Sequence, residues 1–378
     1  MDFTLSPEQE ALRDSVARFA ARDYGWEQRA AIVRSVAGRF PGHWATFAEL
    51  GWLGAGLSEE AGGFGGGAAE NAIIMEALAP ALAVEPLVPH IVASRLLSRS
   101  SSAAAQKHLA AMVMGERRVV LAHGEGMGLG EPIATTLSDP AGNGMWRLNG
   151  RKSVVLGAEG ADSLIVSARR SDGELLLCLV DSSAQGIAIQ PYRLVDNHRA
   201  GDVVLQDVAV APDQVLALPA DALDEALDHG IVALCAEAVG VMEAALWLTR
   251  DYLLTRKQFG TNLSAFQALQ HKMADMLIET EMARSILFQA LASVEDDDPD
   301  VRRRGVSAAK ALVSEAGLAV GAAAIQLHGA IGMTEEYIVG HYYKRLFAIA
   351  RLLGTGDHHL ARYLEATERL LERERDAA

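Results

Sequence analysis

The spacing of apolar residues changes twice along this 378-residue chain, and no other feature constrains the fold as strongly. The first and last parts place apolar residues at helical spacing, whereas the middle part has short apolar runs between turn residues. A chain of this length exceeds one compact core. The pattern predicts an all-α domain over residues 1–116, a β-domain over 117–219 and a second helical domain over 220–378.

The N-terminal helical domain opens with a strong helix start. Ser6 is followed by Pro7 and by Gln9, which predicts a capping box with proline in the first turn. The glycine-rich stretch Gly62–Gly67 predicts a turn between helices. A phosphate-binding loop is disfavoured there because no buried strand precedes it.

The middle domain predicts an antiparallel sandwich or barrel, because turn residues recur between its apolar runs. The predicted strands are Arg118–Ala122, Trp146–Leu148, Ser153–Leu156, Ser163–Ser167 and Leu175–Val180.

The C-terminal domain predicts long helices over Ala222–Arg256, Ala265–Val294 and Val301–His328. Long helices joined by short loops pack antiparallel, so a four-helix bundle is expected. The third helix is rich in Ala and Gly, which predicts close helix contacts on more than one of its sides.

The composition restricts partners and compartment. A net charge of −15 argues against nucleic acid or an anionic membrane as the main partner. Cys178 and Cys235 lie in separate apolar runs, which favours inert buried thiols in a reducing cytoplasm. The N-terminus lacks a basic leader, and the apolar stretch Ile231–Val239 contains Glu237 and is too short to span a bilayer. A soluble, cytoplasmic protein without a metal site is expected.

The first motif that could carry chemistry is Arg256–Gly260 (RKQFG), followed by Phe266 and Gln267. It lies where a long helix ends, and an arginine there suits bidentate binding of a phosphate or pyrophosphate. The motif is equally compatible with an arginine that offsets the helix dipole and with Phe259 as a core residue.

The second motif is Gln326–Tyr337 (QLHGAIGMTEEY). A helix ends there in a glycine-bearing loop that exposes backbone N–H groups, which suits the phosphates or adenine of a nucleotide. His328 alone is equally compatible with a hydrogen-bonded core histidine.

Together the two motifs resemble the acyl-CoA dehydrogenase family, whose C-terminal domain carries an Arg-x-x-Phe-Gly turn and a Gln-x-x-Gly-Gly-x-Gly-x-Thr-Glu-Tyr loop. Ala330 replaces the second glycine of that loop, and Glu336 is an extra residue before the tyrosine. The resemblance extends over the whole chain, through the opening segment, the turn Glu60–Gly63 and the stretch Leu148–Lys152. It implies a helical domain, a β-domain and a four-helix bundle, as the hydrophobic spacing does.

The resemblance also implies FAD as the cofactor and an acyl-CoA thioester as the substrate. In the family a glutamate removes the α-proton while hydride passes from the β-carbon to the flavin. The enzymes are dimers of dimers in which the β-domain of one subunit grips the flavin ring and the two C-terminal motifs of its neighbour grip the adenosine pyrophosphate. The cofactor-binding residues implied for this chain are Arg256, Gln258, Phe259, Gln267, Gln326, Gly329 and Thr355.

The catalytic glutamate is missing. Leu353 stands at its usual place, and Gly230 stands at the place that some members use instead, so no catalytic residue is assigned. Ile231 occupies the position of a common substrate-side arginine. Asp228 matches an aspartate associated with the thioester, although a solvated helix residue is the alternative.

The β-domain departs from the family as well. The Thr-Glu-Pro loop that touches the flavin reads Ala122–Gly126 (AHGEG), and the Trp-Ile-Thr segment reads Val154–Leu156 (VVL). The losses therefore concern a subunit's own active site, whereas the retained residues serve a neighbour's cofactor.

The chain thus resembles the small, glutamate-lacking subunits of pimeloyl-CoA or steroid side-chain dehydrogenases, which work in a hetero-oligomer with a glutamate-bearing subunit. One alternative is a homo-oligomeric dehydrogenase with a relocated base, for which Asp357, Glu335 and Glu336 are the nearest carboxylates. A flavin monooxygenase on the same fold and a purely structural helical scaffold are further alternatives.

Overall fold

Helices form both ends of the chain and strands form its middle, as the hydrophobic spacing predicts. The computed structural model describes residues 4–35, 38, 40–126, 131–138 and 144–376, so Met1–Phe3 of the opening segment lie outside it. The helices in that part of the chain are α1 (Pro7–Asp23), α2 (Trp26–Arg34), α3 (Pro41–Glu49), α4 (Ala68–Leu78), α5 (Leu87–Ser98), α6 (Ala103–Val113), α7 (Ala222–Thr255), α8 (Gln267–Ser293), α9 (Pro299–His328), α10 (Ile338–Ile349) and α11 (Gly356–Asp376). The strands are β1 (Val119–Ala122), β2 (Thr136–Ser138), β3 (Trp146–Leu156), β4 (Ser163–Arg169), β5 (Leu175–Asp181), β6 (Ile187–Arg193), β7 (Arg199–Val210), β8 (Lys257–Gln258) and β9 (Thr261–Asn262).

The chain divides into two compact units, each built from several segments. The first unit contains Met1–Ile32, Ala68–Ala83 and Ile231–Ala378, and the second contains Val33–Gly67 and Val84–Gly230. The predicted fold class is confirmed, while the domain limits at residues 116 and 219 stay predictions.

In the first unit, the predicted capping box starts α1. Ser6 Oγ accepts a hydrogen bond from the Gln9 backbone N–H at 3.2 Å, and the Ser6 N–H donates to Gln9 Oε1 at 3.0 Å. These bonds satisfy N–H groups that the helix itself leaves unpaired.

The small residues of α9 allow close packing on several sides, as predicted. A Cβ atom on Gly321 would lie 2.9 Å from Tyr343 Cδ2 of α10, and one on Gly305 would lie 2.5 Å from Ser293 Cβ of α8. Helix α11 also packs along α9. The C-terminal helices therefore form a tightly packed bundle around α9.

The second unit contains a seven-stranded sheet in the order β1-β4-β2-β3-β7-β6, with β5 also paired to β4. Most pairs are antiparallel, as predicted, but β1–β4 and β2–β4 are parallel. The two runs Trp146–Leu148 and Ser153–Leu156 belong to one continuous strand, β3, because the residues between them also pair with β7. A bulge between Lys152 and Val155 interrupts that pairing.

The length argument against a membrane span is wrong, because Ile231–Val239 lies inside the 34-residue helix α7. Helix α7 and the segment Pro299–Met333 are both long and apolar enough to cross a bilayer by length and composition. Within the chain, 78% and 50% of their apolar windows are buried, and the core helix of a soluble protein passes the same test. These helices are therefore weak evidence for a membrane.

Candidate functional site

The first motif forms a tight hairpin at the end of α7. Strands β8 and β9 pair with each other, and the turn between them consists of Phe259 (φ 54°) and Gly260 (φ 82°). Two successive left-handed residues are what a two-residue type I′ turn requires. The Leu263 N–H closes the hairpin by donating to the Arg256 carbonyl at 2.9 Å. The side chains of Arg256 and Gln258 are exposed on it.

Phe259 is not a core residue, so that alternative is wrong. Its side chain is 90% exposed, and its ring meets Phe266 edge-to-face at a centroid distance of 6.1 Å. A left-handed backbone is unfavourable for phenylalanine. The fold thus holds a large apolar ring in water on a strained backbone.

The second motif caps the end of α9. Gly329 has φ 66°, and a Cβ atom there would meet no atom within 4 Å. Gln326 and Gly329 are exposed, whereas His328 is buried and its Nδ1 donates to the Ala324 carbonyl at 2.8 Å. Burial lowers the pKa of His328 and so favours the neutral ring. His328 is therefore a structural residue at the base of an open loop.

An aromatic contact joins the two motifs. The Tyr252 ring stacks on the His328 ring at a centroid distance of 4.5 Å. The Tyr337 ring also contacts the His328 ring, in a tilted arrangement with a centroid distance of 5.1 Å. Tyr252 lies one turn before Arg256, and His328 directly precedes Gly329. The exposed residues in and beside the two motifs that are predicted to bind the cofactor are here called the loop surface: Arg256, Gln258, Phe259, Gln267, Gln326 and Gly329.

The loop surface has the donors that a pyrophosphate needs. Gln267 is the first residue of the 27-residue helix α8, whose N-cap residue Phe266 has no side-chain acceptor for the first N–H groups. Helix N-termini of this kind favour anions. Arg256 adds an exposed guanidinium, and Gly329 leaves the approach to its backbone open. The residues present thus fit the nucleotide part of FAD.

The loop that carries Leu353 is closed by internal hydrogen bonds. Leu353 has φ 53°, and its carbonyl accepts from His359 Nε2 at 2.8 Å. Lys310 Nζ donates to the carbonyls of Ile349 at 2.7 Å and Gly354 at 3.1 Å. Lys310 is fully buried, and this burial lowers its pKa to about 8. Thr355, the next residue of the loop, is exposed.

A buried polar cluster in the second unit occupies the loop that departs from Thr-Glu-Pro. Lys152 Nζ donates to Glu125 Oε1 at 2.6 Å, to Ser167 Oγ at 3.0 Å and to the His123 carbonyl at 3.0 Å. The Lys152 side chain is 0% exposed. We call Lys152, Glu125, Ser167 and His123 the Lys152 cluster.

Backbone groups complete the Lys152 cluster. Glu125 accepts from the N–H groups of Ala134 at 2.6 Å and Thr135 at 2.9 Å. Desolvation alone would raise the pKa of Glu125, but the hydrogen bonds from Lys152, Thr135 and Ala134 lower it to about 2. Sequence reasoning missed this cluster, although Lys152 falls on an inward-facing position of β3.

The bulge of β3 exposes the side chain of Val154, at a position where the family has an aromatic residue. Val154 has φ 51° and is 39% exposed. Its N–H donates to Asp202 Oδ1 at 3.2 Å, and Asp202 is itself held by Tyr192 Oη at 2.9 Å and Arg151 Nη2 at 2.6 Å. The bulge is thus firmly supported, but its outward side chain is a small aliphatic one.

Asp228 is fully buried in α7, so the interpretation as a solvated helix residue is wrong. Its role near a thioester stays a prediction. Over the residues that the structure describes, no cluster of three or more His, Cys, Asp or Glu side chains could hold a metal ion.

Comparisons with known proteins agree with the motifs. Residues 6–116 match the acyl-CoA dehydrogenase N-terminal domain, and residues 220–366 match the acyl-CoA dehydrogenase C-terminal domain. The probable acyl-CoA dehydrogenase YngJ of Bacillus subtilis (strain 168) is 30% identical over 94% of this chain and 96% of that protein.

Two solved structures are similar along nearly the whole chain. The Tcur3481-Tcur3483 steroid ACAD is 32% identical, with a TM-score of 0.88 over 98% of this chain and 100% of that one. The ChsE4-ChsE5 complex from Mycobacterium tuberculosis is 24% identical and shares the fold, with a TM-score of 0.89 over 97% and 99% of the two chains. The expected FAD cofactor and oxidoreductase class are thus confirmed. This chain belongs to the acyl-CoA dehydrogenase family of FAD-dependent oxidoreductases.

Proposed function

We propose that this chain is a subunit of a mixed acyl-CoA dehydrogenase in which it holds the nucleotide part of FAD for a glutamate-bearing partner. The observation that carries the proposal is a contrast within the chain. Its loop surface is open, whereas its own active site lacks a general base. The substrate would be an acyl-CoA thioester, α,β-desaturated with FAD as the hydride acceptor.

On this proposal each residue of the loop surface has a definite task. Arg256 would pair with the pyrophosphate, since its guanidinium forms two parallel hydrogen bonds to phosphate oxygens. The first N–H groups of α8 at Gln267 would stabilise the same negative charge. Gln326 and the backbone at Gly329 would hydrogen-bond the rest of the nucleotide. The exposed Phe259 ring would be covered by the partner.

The missing base explains why a partner is needed. Removing an α-proton from a thioester requires a positioned general base, and its loss costs roughly 10²–10⁴ in rate. Leu353 cannot accept a proton, and Gly230 has no side chain. Val154–Leu156 offers no aromatic ring or hydroxyl group to a flavin either. The isolated chain is therefore expected to be a poor dehydrogenase.

The relatives give this proposal a first substrate and a first assembly to test. The similar structure at 32% identity is described as a steroid ACAD with two named components, and ChsE4-ChsE5 is described as a complex. CoA thioesters of steroid-derived acids are thus the substrates to try first.

The direct test is the ratio of FAD to chain after purification. The chain expressed alone is expected to retain little flavin, and the chain co-expressed with its glutamate-bearing partner is expected to retain one FAD for each pair of chains. One tightly held FAD per chain in the lone protein, with steady acyl-CoA oxidation, would overturn the proposal.

A relocated base in a homo-oligomer has weaker support. Glu335 is already paired with Lys344, and Glu336 and Asp357 are exposed to water. A catalytic base must be positioned and shielded from water to act on a weakly acidic C–H group. Acyl-CoA oxidation by the lone chain that disappears in Asp357→Asn would favour this alternative.

A further inference from the structure

A large groove lies in the first unit and belongs to neither motif. Residues of α4 and α7, here called its floor, and residues from α8 and the side of α1, here called its walls, line a volume of about 840 Å³. The floor includes small residues, among them Ala72, Gly240 and Ala244. A Cβ atom on Gly240 would lie 2.5 Å from the Glu76 carbonyl oxygen, so the two floor helices are in close contact. The groove is therefore not a space that separates α4 from α7.

The walls of the groove are mostly apolar. Leu287, Phe288 and Leu291 line it from α8, and Leu5 and Ala17 line it on the side of α1. Its volume falls within the range of about 300–1,000 Å³ that is typical of small-molecule sites.

The arginines that line the groove already have carboxylate partners. Arg284 lies between Glu76 Oε1 at 2.5 Å and Glu243 Oε2 at 2.7 Å. The Trp247 indole N–H donates to the other Glu243 oxygen at 3.4 Å. Arg13, the second arginine of the lining, contacts Asp14 at 3.3 Å. Both arginines thus already have a carboxylate partner.

We propose that this groove binds an uncharged aliphatic or alicyclic molecule of small-lipid size, at a site other than that of the acyl-CoA thioester. Burying apolar ligand surface against the Ala and Leu side chains is favourable. An acid or a CoA ester would have to bury negative charge beside Glu76 and Glu243, where the nearby arginine is already paired. The groove therefore selects neutral ligands. This inference does not depend on the proposed subunit role.

The test uses the full chain and three probes of equal length: decanol, decanoate and decylammonium. Trp247 lines the groove and is 41% exposed, so a bound chain should remove water from its indole and shift its fluorescence to the blue. Decanol is expected to bind at least about tenfold more tightly than either ion, a difference of about 1.4 kcal/mol. In Trp247→Phe the shift should vanish while calorimetry still detects binding.

Two substitutions test the location. Ala244 is half-buried on the groove floor, so Ala244→Leu and Ala244→Met should fill the volume and weaken decanol binding about tenfold. Ala110→Leu on the exposed face of α6 is the matched control and should leave binding unchanged. Thermal unfolding of each variant establishes that it is folded.

The double variant Glu76→Gln/Glu243→Gln tests the charge argument, because it removes the two carboxylates that are hydrogen-bonded to Arg284. Decanoate should then bind more tightly than decanol. The proposal is overturned if decanoate and decanol bind the wild type equally, if neither binds, or if Ala244→Leu changes the oligomeric state rather than the affinity. The last result would make the groove a contact between copies of the chain.

Discussion

The loop surface and the Lys152 cluster handle polar side chains in opposite ways. On the loop surface Arg256, Gln258 and Gln326 are exposed to solvent. In the Lys152 cluster the ammonium group of Lys152 is buried and has three internal acceptors. Polar groups kept in solvent at loops remain available to a ligand, whereas buried, saturated ones serve the fold.

The Leu353 loop belongs with the Lys152 cluster in this respect. Its carbonyl groups are bonded to Lys310 and His359, and both of those side chains are buried. Two of the regions where the family motifs are lost, the Glu125 loop and the Leu353 loop, are thus internally closed, and the region where the motifs persist is open. Substitutions in the closed and open regions should therefore have different consequences.

The largest effect is expected for Glu125→Gln, which leaves the buried ammonium of Lys152 without a counter-charge. Breaking one partner out of a buried ion pair typically costs about 3–5 kcal/mol of the free energy of unfolding. Urea unfolding at pH 7 measures it. Glu174→Gln is the control, because that carboxylate pairs only near the surface with Arg170 and should cost less than about 0.5 kcal/mol.

The same variant should change the response to acid. The pKa of Glu125 is lowered to about 2, below the value of about 4.3 in an unfolded chain. Its contribution is therefore fully present above the unfolded value and is lost as the pH falls towards 2. The difference between wild type and Glu125→Gln should shrink over that range. A difference that stays constant would contradict an ionised Glu125, and Lys152→Met added to Glu125→Gln should restore stability.

The next effect concerns the open region. Arg256→Ala in a complex that contains the partner should weaken FAD binding about 100-fold, because charge-assisted bidentate bonds are lost. Arg250→Ala, in the last turns of the same helix, is the matched control. Flavin fluorescence during titration measures both. Equal losses in the two variants, or no loss in either, would mean that Arg256 only offsets the helix dipole.

A smaller effect is expected for Lys310, which closes the Leu353 loop. Its pKa of about 8 lies below the unfolded value of about 10.4, so the unfolded state binds more protons between these values. The free energy of unfolding should therefore rise with pH in the wild type relative to Lys310→Met, by about 1.5 kcal/mol between pH 8 and 9.5. Burial raises the pKa of Cys235 to about 12, and this shift makes the free energy of unfolding fall as the pH rises, opposite to the effect of Lys310. Because Cys235 is present in both proteins, the wild type has to be compared with Lys310→Met. Parallel pH profiles would show that Lys310 keeps its ordinary pKa and stays charged in the fold over this range.

The sequence predicted those parts of the fold that depend on neighbours along the chain. The helix predicted over Ala265–Val294 is observed over Gln267–Ser293, because apolar spacing and helix ends are local signals. The parallel pairing of β1 with β4 was not predicted, since it joins Val119 to Ser163 across a long stretch of chain. Strand pairing between distant segments leaves no local pattern.

The candidate site divides in the same way. The sequence placed Arg256 and Gly329 correctly at helix ends, but it could not decide whether Phe259 is buried or exposed. That outcome depends on a left-handed backbone, which only the closed hairpin reveals. The Lys152 cluster was also missed, because a lysine between polar neighbours in sequence is usually solvated. Tertiary contacts, rather than propensity, decided both cases.

The smallest effect on the chain itself, and the sharpest test of the open region, is expected for Phe259→Asn. Asparagine tolerates left-handed backbone better than phenylalanine, and the Phe259 ring is 90% exposed. The free energy of unfolding of the lone chain should therefore be unchanged or rise by up to about 1 kcal/mol. Co-purification with the partner and retention of FAD should nevertheless fall, because an apolar contact is lost. Phe64→Asn replaces another exposed phenylalanine as the control and should leave assembly unchanged. If Phe259→Asn instead destabilises the lone chain and leaves assembly intact, the ring serves the fold, and the loop surface is no more open than the Lys152 cluster.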